Sequence, residues 1–222
     1  MILIRPATPA DLPGLVQVMV QAFNLKMVVL FGRNSARTGR ILQQIYAGPL
    51  NRGYDGIIVA EQDGRIVGGL VVEPMPWMQI DVERLETAIK TELGLYRQFW
   101  NHLGYSVFGH SPAPGDAYLS EICVVKDMRG HGIAQRMVGY AEEWARAHGK
   151  TDLTLLVAAR NRIARHAYEK RGLGIARTEF RVLAGLLYGN YRWHYMTKSL
   201  EARVALPDEA RGDTLPGRFE IG

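Results

Sequence analysis

The residues best suited to chemistry stand in one glycine-containing stretch, VVKDMRGHGIA, from Val124 to Ala134. Gly130 and Gly132 follow a predicted strand and precede a predicted helix. Glycines let the backbone take conformations that a side chain would forbid and approach a ligand closely. The first N–H groups of a helix have no partner within it and lie at the positive end of its dipole. The stretch therefore predicts a site for a phosphate or pyrophosphate group.

The basic residues of the chain are concentrated around this stretch. The 222 residues include 27 Lys and Arg against 22 Asp and Glu, a formal net charge of +5. Residues 126–171 contain ten basic and five acidic residues, so this segment accounts for the whole surplus. A local surplus favours one anion site. A solvated basic face and a nucleic-acid surface are the alternatives.

Two common nucleotide motifs do not fit the stretch. The dinucleotide fingerprint G-x-G-x-x-G needs a third glycine where this chain has Gln135, and no Gly-Lys-Ser/Thr of a P-loop follows. A glycine turn that only caps a helix is the simpler alternative. The glycine turn alone does not distinguish a helix cap from a binding site, so the rest of the sequence is needed.

Hydrophobic periodicity and turn residues predict the order β-α-α-β-β-insertion-β-α-β-α-β-β. The predicted strands are 1–6, 56–61, 65–73, 117–125, 152–158, 174–183 and 191–200, and the predicted helices begin at Thr8-Pro9 and span 33–50, 129–148 and 161–170. Tight turns are predicted at residues 62–64 and at Gly189-Asn190. Segment 117–158 predicts one parallel crossover, residues 74–115 a helical insertion, and residues 201–222 a tail.

Composition limits the class of protein. With 47% hydrophobic and 22% charged residues, the chain is typical of one globular domain with a sizeable core. No apolar run approaches a membrane span or a signal peptide. The single cysteine, Cys123, cannot form an internal disulfide, which favours a reducing cytoplasm.

Two motifs in the right order carry a resemblance to a known family. Arg129, Gly132 and Ala134 match the pattern Arg-x-x-Gly-x-Ala, and Asn161, Ala164, Tyr168 and Gly172 match a second pattern in which Leu173 replaces the usual Phe. Over residues 1–200 the chain resembles the GCN5-related N-acetyltransferases (GNAT). The resemblance implies an α/β fold with a mixed, mostly antiparallel central sheet flanked by helices. The helical insertion at 74–115, between the third and fourth strands, is an unusual addition to that family, and its aromatic residues predict that it roofs the acceptor site.

The same resemblance implies acetyl-CoA as cofactor. It assigns the pyrophosphate to the backbone of Arg129, Gly130, His131, Gly132, Ile133 and Ala134, and the pantetheine arm to Ile122, Cys123 and Val124. An N–H group near Val124 would polarise the thioester carbonyl. Asn161 and Ala164 belong to the same binding site, with helix capping as the alternative role of Asn161.

Tyr168 is the residue that the resemblance makes the general acid, and Glu121 is the candidate general base. Glu121 and Cys123 share one face of the predicted strand, on which Cys123 is interpreted as a small buried hydrophobe. Rivals for the base lie near the same strand ends: Asp116, Tyr118, Glu73 and His110. No metal site is predicted.

The predicted function is therefore direct transfer of an acetyl group from acetyl-CoA to a primary amine in a ternary complex. The acceptor is a small amine, an amino-acid derivative or a protein amine, with neither nucleic acid nor membrane as a partner. A catalytically silent acyl-CoA sensor is the alternative. Aromatic residues of the insertion and of the last hairpin are predicted to wall the acceptor site or to form a satellite core or a dimer interface: Trp77, Tyr96, Phe99, Trp100, Tyr105, Phe108, Tyr188, Tyr191, Trp193 and Tyr195.

Overall fold

The computed structural model describes residues 1–73, Thr87, 90–92 and 113–201. Seven strands form one sheet in the order β1-β2-β3-β4-β5-β7-β6, and every neighbouring pair is antiparallel except β4 and β5. The strands are β1 (Ile2–Pro6), β2 (Ile57–Gln62), β3 (Arg65–Glu73), β4 (Asp116–Val124), β5 (Asp152–Ala158), β6 (Gly174–Phe180) and β7 (Arg192–Ser199). The mixed, mostly antiparallel α/β sheet is confirmed.

Six helices accompany the strands in the described part of the chain. They are α1 (Leu12–Ala22), α2 (Asn24–Phe31), α3 (Ser35–Asn51), α4 (Ile133–Ala147), α5 (Arg162–Glu169) and α6 (Val182–Tyr188), with short 3₁₀ turns at Pro9–Asp11 and Lys126–Met128. Helix α4 joins the parallel strands β4 and β5, as the crossover at 117–158 predicts. Among the described residues, no helix has the length and apolar character needed to cross a membrane.

Helices α1 and α4 cover opposite faces of the sheet. A Cβ placed on Gly69 would collide with Leu15 of α1, whereas one placed on Gly68 would lie 3.1 Å from Met137 Cε of α4. Successive residues of a strand point to opposite faces, so the two adjacent glycines admit one helix on each side. Both helices contribute fully buried side chains to one continuous core.

The start of the first helix follows its capping signal. The Thr8 N–H donates to Asp11 Oδ2 at 2.7 Å, and the Asp11 N–H donates to the Thr8 carbonyl at 3.0 Å. These bonds hold the turn Pro9–Asp11, from which α1 continues. Asp11 also accepts from Arg5, whose guanidinium pairs with Glu61 as well.

Two helices differ from their predicted bounds, and two, α2 and α6, were not predicted. Helix α2 arises from an almost uninterrupted apolar run with two β-branched valines, which shows no helical period. Helix α3 continues through Pro49 to Asn51 rather than ending before it. Helix α4 begins at Ile133, four residues later than predicted, because Gly130 and Gly132 both adopt positive φ.

The predicted tight hairpin at Gly189-Asn190 is wrong. Strand β6 ends at Phe180, and α6 fills the connection to β7. Gly189 instead ends α6 in the left-handed conformation, and its N–H donates to the Gly185 carbonyl at 2.8 Å. Glycine with positive φ is a common helix end as well as a hairpin residue, so the local signal fits both structures.

The predicted insertion at 74–115 lies mostly outside the described residues. Thr87 and residues 90–92 are helical, within the predicted helix 80–103. The Arg40 guanidinium of α3 donates to both oxygens of Glu92 at 2.8 Å. This ion pair connects the segment with α3. The predicted acceptor-site role of the insertion and the predicted tail at 201–222 stay predictions.

Candidate active site

A wedge-shaped opening separates two parallel strands in the middle of the sheet. Strands β4 and β5 pair at only four positions, from Asp116↔Asp152 to Leu119↔Leu155. Beyond them β4 continues beside β3 as far as Val124, and β5 continues beside β7 as far as Ala158. The two strands therefore diverge, and no described strand pairs with the edges that they present to the gap.

A β-bulge marks the point at which the strands separate. Val71 pairs with Glu121 and Val72 with Leu119, so Ser120 is the extra residue of β4. A bulge bends its strand and increases the local twist, which directs the second half of β4 away from β5. The Ser120 hydroxyl is buried and has no hydrogen-bond partner within the described residues.

Along β4 the backbone N–H and C=O groups of successive residues point alternately toward β3 and away from it, which determines the groups that line the opening. The Val125 N–H donates to the Val67 carbonyl at 2.9 Å, so the same register directs the backbone groups of Cys123 and Glu121 to β3. The N–H and C=O groups of Ile122 and Val124 therefore point toward the opening. Their side chains pack against the core, and the edge offers an extended chain the N–H groups of both residues and the Ile122 carbonyl, because the Val124 carbonyl accepts from Arg129 Nε.

The glycine stretch lies at the open end of β4. Gly130 has φ +85° and Gly132 has φ +73°, a region that favours glycine. A Cβ on Gly130 would have no atom within 4 Å, so the loop leaves free space on its outer side. Gly132 is the N-cap of α4 and supplies no side chain, and the first N–H groups of the helix, from Ile133 and Ala134, remain for a ligand.

Two side chains of the loop contact its own backbone. The Arg129 Nε donates to the Val124 carbonyl at 3.1 Å, which brings its positive charge to the end of the opening. The His131 Nδ1 lies 3.1 Å from the Arg129 carbonyl, and the ring is exposed. The loop thus combines backbone donors with a guanidinium, an arrangement that suits a pyrophosphate.

Tyr168 reaches the interior from α5. It is 8% exposed and packs with the residues of the main core. Burial raises the pKa of its phenol, and the nearby Cys123 raises the pKa further. No hydrogen bond of the Tyr168 hydroxyl to another described residue is present, and the raised pKa favours the protonated phenol.

Glu121 is half-buried on the face of the sheet that α1 covers. Cys123, two residues further along β4, lies on the same face. A Cβ placed on Gly69 would point toward α1 and would lie 3.4 Å from Cys123 Sγ. Tyr118 is on the same face, and its pKa is raised by burial first and then by the charges of Glu73 and Glu121. The carboxylates of Glu73 and Glu121 thus both lie close enough to the Tyr118 phenol to raise its pKa.

Three other predicted site residues have structural contacts. The Cys123 thiol is 4% exposed and donates to the Gly69 carbonyl at 3.4 Å. The Asn161 Oδ1 accepts from the Ala164 N–H at 3.2 Å, so Asn161 caps α5 and Ala164 lies in the first turn. Asn161 thus makes the contact expected of a helix cap, the alternative to its predicted role in cofactor binding. The contact fixes the start of α5, the helix that carries Tyr168.

The rival candidates for the base have different surroundings. Asp116 is 7% exposed and accepts from the Ala113 N–H at 2.9 Å and the Tyr195 hydroxyl at 3.1 Å, which occupies one of its oxygens structurally. Glu73 and Tyr118 are near Glu121, as described above, and His110 lies outside the described residues. Among the residues described, no three of His, Cys, Asp and Glu are grouped as metal ligands.

The bulge at Ser120 and helix α6 are the two features of this region that could not be predicted from the sequence. Nothing in the run around Ser120 differs from an ordinary strand. Helix α6 packs its inner residues, Ala184 and Tyr188, against Val29 of α2 and forms a second small core on the α1 side. The Arg160 guanidinium, at the end of β5, donates to the carbonyls of Gly189 and Tyr188 at the end of α6.

Comparison with known proteins agrees with this geometry. Residues 29–173, well over half of the chain, match the model of the acetyltransferase (GNAT) family. No curated protein matches the chain. Among solved structures, an acetyltransferase crystal structure is 26% identical, covers 90% of this chain and 100% of its own, and superposes with a TM-score of 0.66.

Two further solved structures have the same fold at lower identity. The yncA protein from Salmonella typhimurium, solved with its cofactor acetyl-CoA, is 16% identical over 95% of this chain and 99% of its own, with a TM-score of 0.58. The ribosomal-protein-alanine N-acetyltransferase from Brucella melitensis is 21% identical over 89% of this chain and 99% of its own, with a TM-score of 0.56.

Proposed function

Because the chain belongs to the GNAT acetyltransferase family, we propose that it transfers the acetyl group of acetyl-CoA directly to a primary amine within one ternary complex. One observation carries the proposal: the opening between β4 and β5 ends at the glycine loop. A single extended cofactor can therefore place its pyrophosphate on the loop and its pantetheine arm along Ile122 and Val124. Bound there, acetyl-CoA supplies an activated thioester.

The chain's residues then have distinct tasks. The Ile122 and Val124 backbone groups hold the arm, and an N–H of this edge polarises the thioester carbonyl. Holding both reactants in one site is itself worth up to roughly 7–11 kcal/mol of the barrier. The loop from Arg129 to Ala134 binds the phosphates through its N–H groups and the Arg129 charge.

Proton transfer needs a donor and an acceptor on the two sides of the reacting carbon. Tyr168 donates its hydroxyl proton to the departing sulfur. Its raised pKa keeps the phenol protonated through neutral and mildly alkaline pH, so the donor is present at working pH. Glu121, on the α1 face, accepts the proton of the amine directly or through a water. Tyr118 and Glu73 lie beside it and can orient the cationic form of the acceptor.

The experiment measures thiol release from acetyl-CoA with pooled primary amines and the full chain. We expect turnover, and we expect Tyr168→Phe to lower kcat about 100-fold at neutral pH, the usual worth of a positioned proton donor, with the Kd for acetyl-CoA unchanged. The control Tyr140→Phe changes a half-buried tyrosine of α4 and should keep full activity. Glu121→Gln should lower kcat about tenfold or more, with partial recovery as rising pH deprotonates the amine.

The outcomes separate the alternatives. An affinity for acetyl-CoA weaker than millimolar would exclude the proposed site. Full activity of Tyr168→Phe would remove the assigned acid and leave the cofactor site intact. Tight binding without transfer to any amine would favour an acyl-CoA sensor over an enzyme.

A further inference from the structure

The exposed apolar side chains of the described residues are concentrated in the segment from Ile163 to Tyr191, which includes the outermost strand β6. Of the eight large hydrophobic residues that are exposed in the described part of the chain, six lie between residues 163 and 191. They are Ile163, Ile175, Phe180, Val182, Leu186 and Tyr191, and the other two are Met1 and Leu3. The outermost strand, β6, carries Phe180, which is 66% exposed, and Ile175, which is 45% exposed.

Within the part of the chain that the structure describes, strand β6 has one neighbour in the sheet, β7, and its other edge has no paired strand. The Arg181 N–H donates to the Tyr191 carbonyl at 2.8 Å, and the same register continues through Glu179↔Trp193 and Arg177↔Tyr195. Because hydrogen-bonded pairs alternate in an antiparallel ladder, the N–H and C=O groups of Thr178 and Phe180 point away from the sheet. Such an edge is a template for another strand.

The charged side chains of β6 are arranged so that they would complement those of a second, antiparallel copy of the strand. Arg177 and Glu179 lie on one face of β6, and the Arg177 Nε donates to Glu179 Oε1 at 2.9 Å. If a second β6 runs antiparallel with Thr178 opposite Thr178, Arg177 of each copy faces Glu179 of the other. The four side chains then alternate in sign, and directly opposed charges of this kind stabilise cross-strand pairing.

The opposite face of β6 supplies an apolar contact in the same register. The Thr178 Oγ1 hydrogen-bonds His194 there at 2.9 Å, and Phe180, two residues on, shares that face. Ile175 pairs with Met196 and points to the same side, across a bulge at Ala176 that confines the regular edge to residues 177–180. Antiparallel pairing brings Phe180 of one copy beside Ile175 of the other, and the two-fold axis repeats the contact.

We propose that a second copy of this chain binds at β6, antiparallel and centred on Thr178, so that the two sheets become one. In a two-fold dimer both copies use the same surface, so that surface must be complementary to itself. The order Arg177, Thr178, Glu179 meets this requirement, because each Arg faces a Glu of the other copy. Arginine and aromatic residues are also enriched in protein interfaces.

Sedimentation and light scattering on the full chain test the pairing. The unmodified protein should be a dimer at micromolar concentration. Arg177→Glu and Glu179→Arg should each raise the dimer Kd at least tenfold, because each places like charges opposite one another. The double variant R177E/E179R should restore the dimer. Arg33→Glu, a charge reversal at an exposed position before α3, is the matched control and should leave the Kd unchanged.

A crosslink tests the register. At Thr178 the two equivalent Cα atoms would be about 5.5 Å apart, within the range of a disulfide. Oxidised Thr178→Cys should therefore run as a covalent dimer. Oxidised Ile175→Cys should not, because its equivalents would be about 20 Å apart along the paired strands. A monomer at 100 µM, a dimer indifferent to both charge reversals, or a crosslink at position 175 alone would overturn the proposal. Circular dichroism confirms that each variant is folded.

Discussion

The two sides of strand β4 differ in how far they are paired. Toward β3 the pairing runs from Gly68↔Val124 to Glu73↔Tyr118, interrupted only by the bulge. Toward β5 it stops at Leu119↔Leu155. One strand thus belongs to a continuous core on one side and borders the proposed cofactor opening on the other. The β5–β7 half therefore needs connections besides β4 if the opening is to keep its shape.

One such connection comes from the second half of α4. Glu142 is 4% exposed, and its Oε2 lies 3.0 Å from Arg171 Nη2 and 2.8 Å from Lys198 Nζ. Arg171 follows α5, and Lys198 is in β7, so one carboxylate holds both elements. In the β1–β4 half, by contrast, the described residues form a broad apolar core, in which β2 alone buries Ile57, Ile58, Val59 and Ala60 completely or nearly so.

The largest expected effect breaks that anchor. Glu142→Gln should lower the free energy of unfolding by about 3 kcal/mol, because removing one partner leaves two cations without their counter-charge. Urea denaturation measures the loss. Glu143→Gln changes the exposed neighbour and should stay within about 0.5 kcal/mol of the unmodified protein. Equal stability of the two variants would show that the C-terminal half does not depend on this anchor.

A smaller effect is expected at the open end of β4. Gly132→Ala forces a side chain into the left-handed region at a cost of roughly 1–2 kcal/mol and displaces the N–H groups that α4 directs outward. The affinity for acetyl-CoA should fall about tenfold, measured by titration calorimetry. Gly53→Ala introduces the same kind of strain at φ +75° in a turn after α3, and its affinity should not change. An equal fall in both variants would assign the effect to stability alone.

The smallest effect tests the other half of the sheet. The hydrogen bond from Arg5 lowers the pKa of Asp11 to about 2 from its ordinary 3.8. Stability from this pair is therefore complete above pH 4 and lost as the pH falls through 2. After allowance for solvent screening it amounts to about 1 kcal/mol. Denaturation curves between pH 2 and 6 should show that slope, and Asp11→Asn should flatten it. An unchanged slope in the variant would exclude Arg5–Asp11 as its origin.

Much of the fold could be predicted because its signals are local. The Thr8–Asp11 cap, the turn at residues 62–64 and the β4-loop-α4 order all depend on residues that are neighbours in the chain. The hairpin at Gly189 failed for the opposite reason. A left-handed glycine ends helices and forms tight turns alike, and only the packing of α6 against Val29 decides between them.

The candidate site divides in the same way. Gly130, Gly132 and Tyr168 could be identified from two short motifs, and the resemblance assigned their tasks. Ser120 could not be found, because a bulge depends on which residues of β3 face which residues of β4. The neighbourhood of Glu121, Glu73 and Tyr118 likewise comes from strand pairing between segments more than forty residues apart.

By itself the sequence determined the family, the order of most elements and the loop that offers its N–H groups to an anion. Those features need only backbone preferences and the spacing of a few residues. Only the tertiary structure shows where β4 and β5 separate, which backbone groups face the gap and which strand is outermost in the described sheet. These depend on register between distant segments, and no local preference encodes a register.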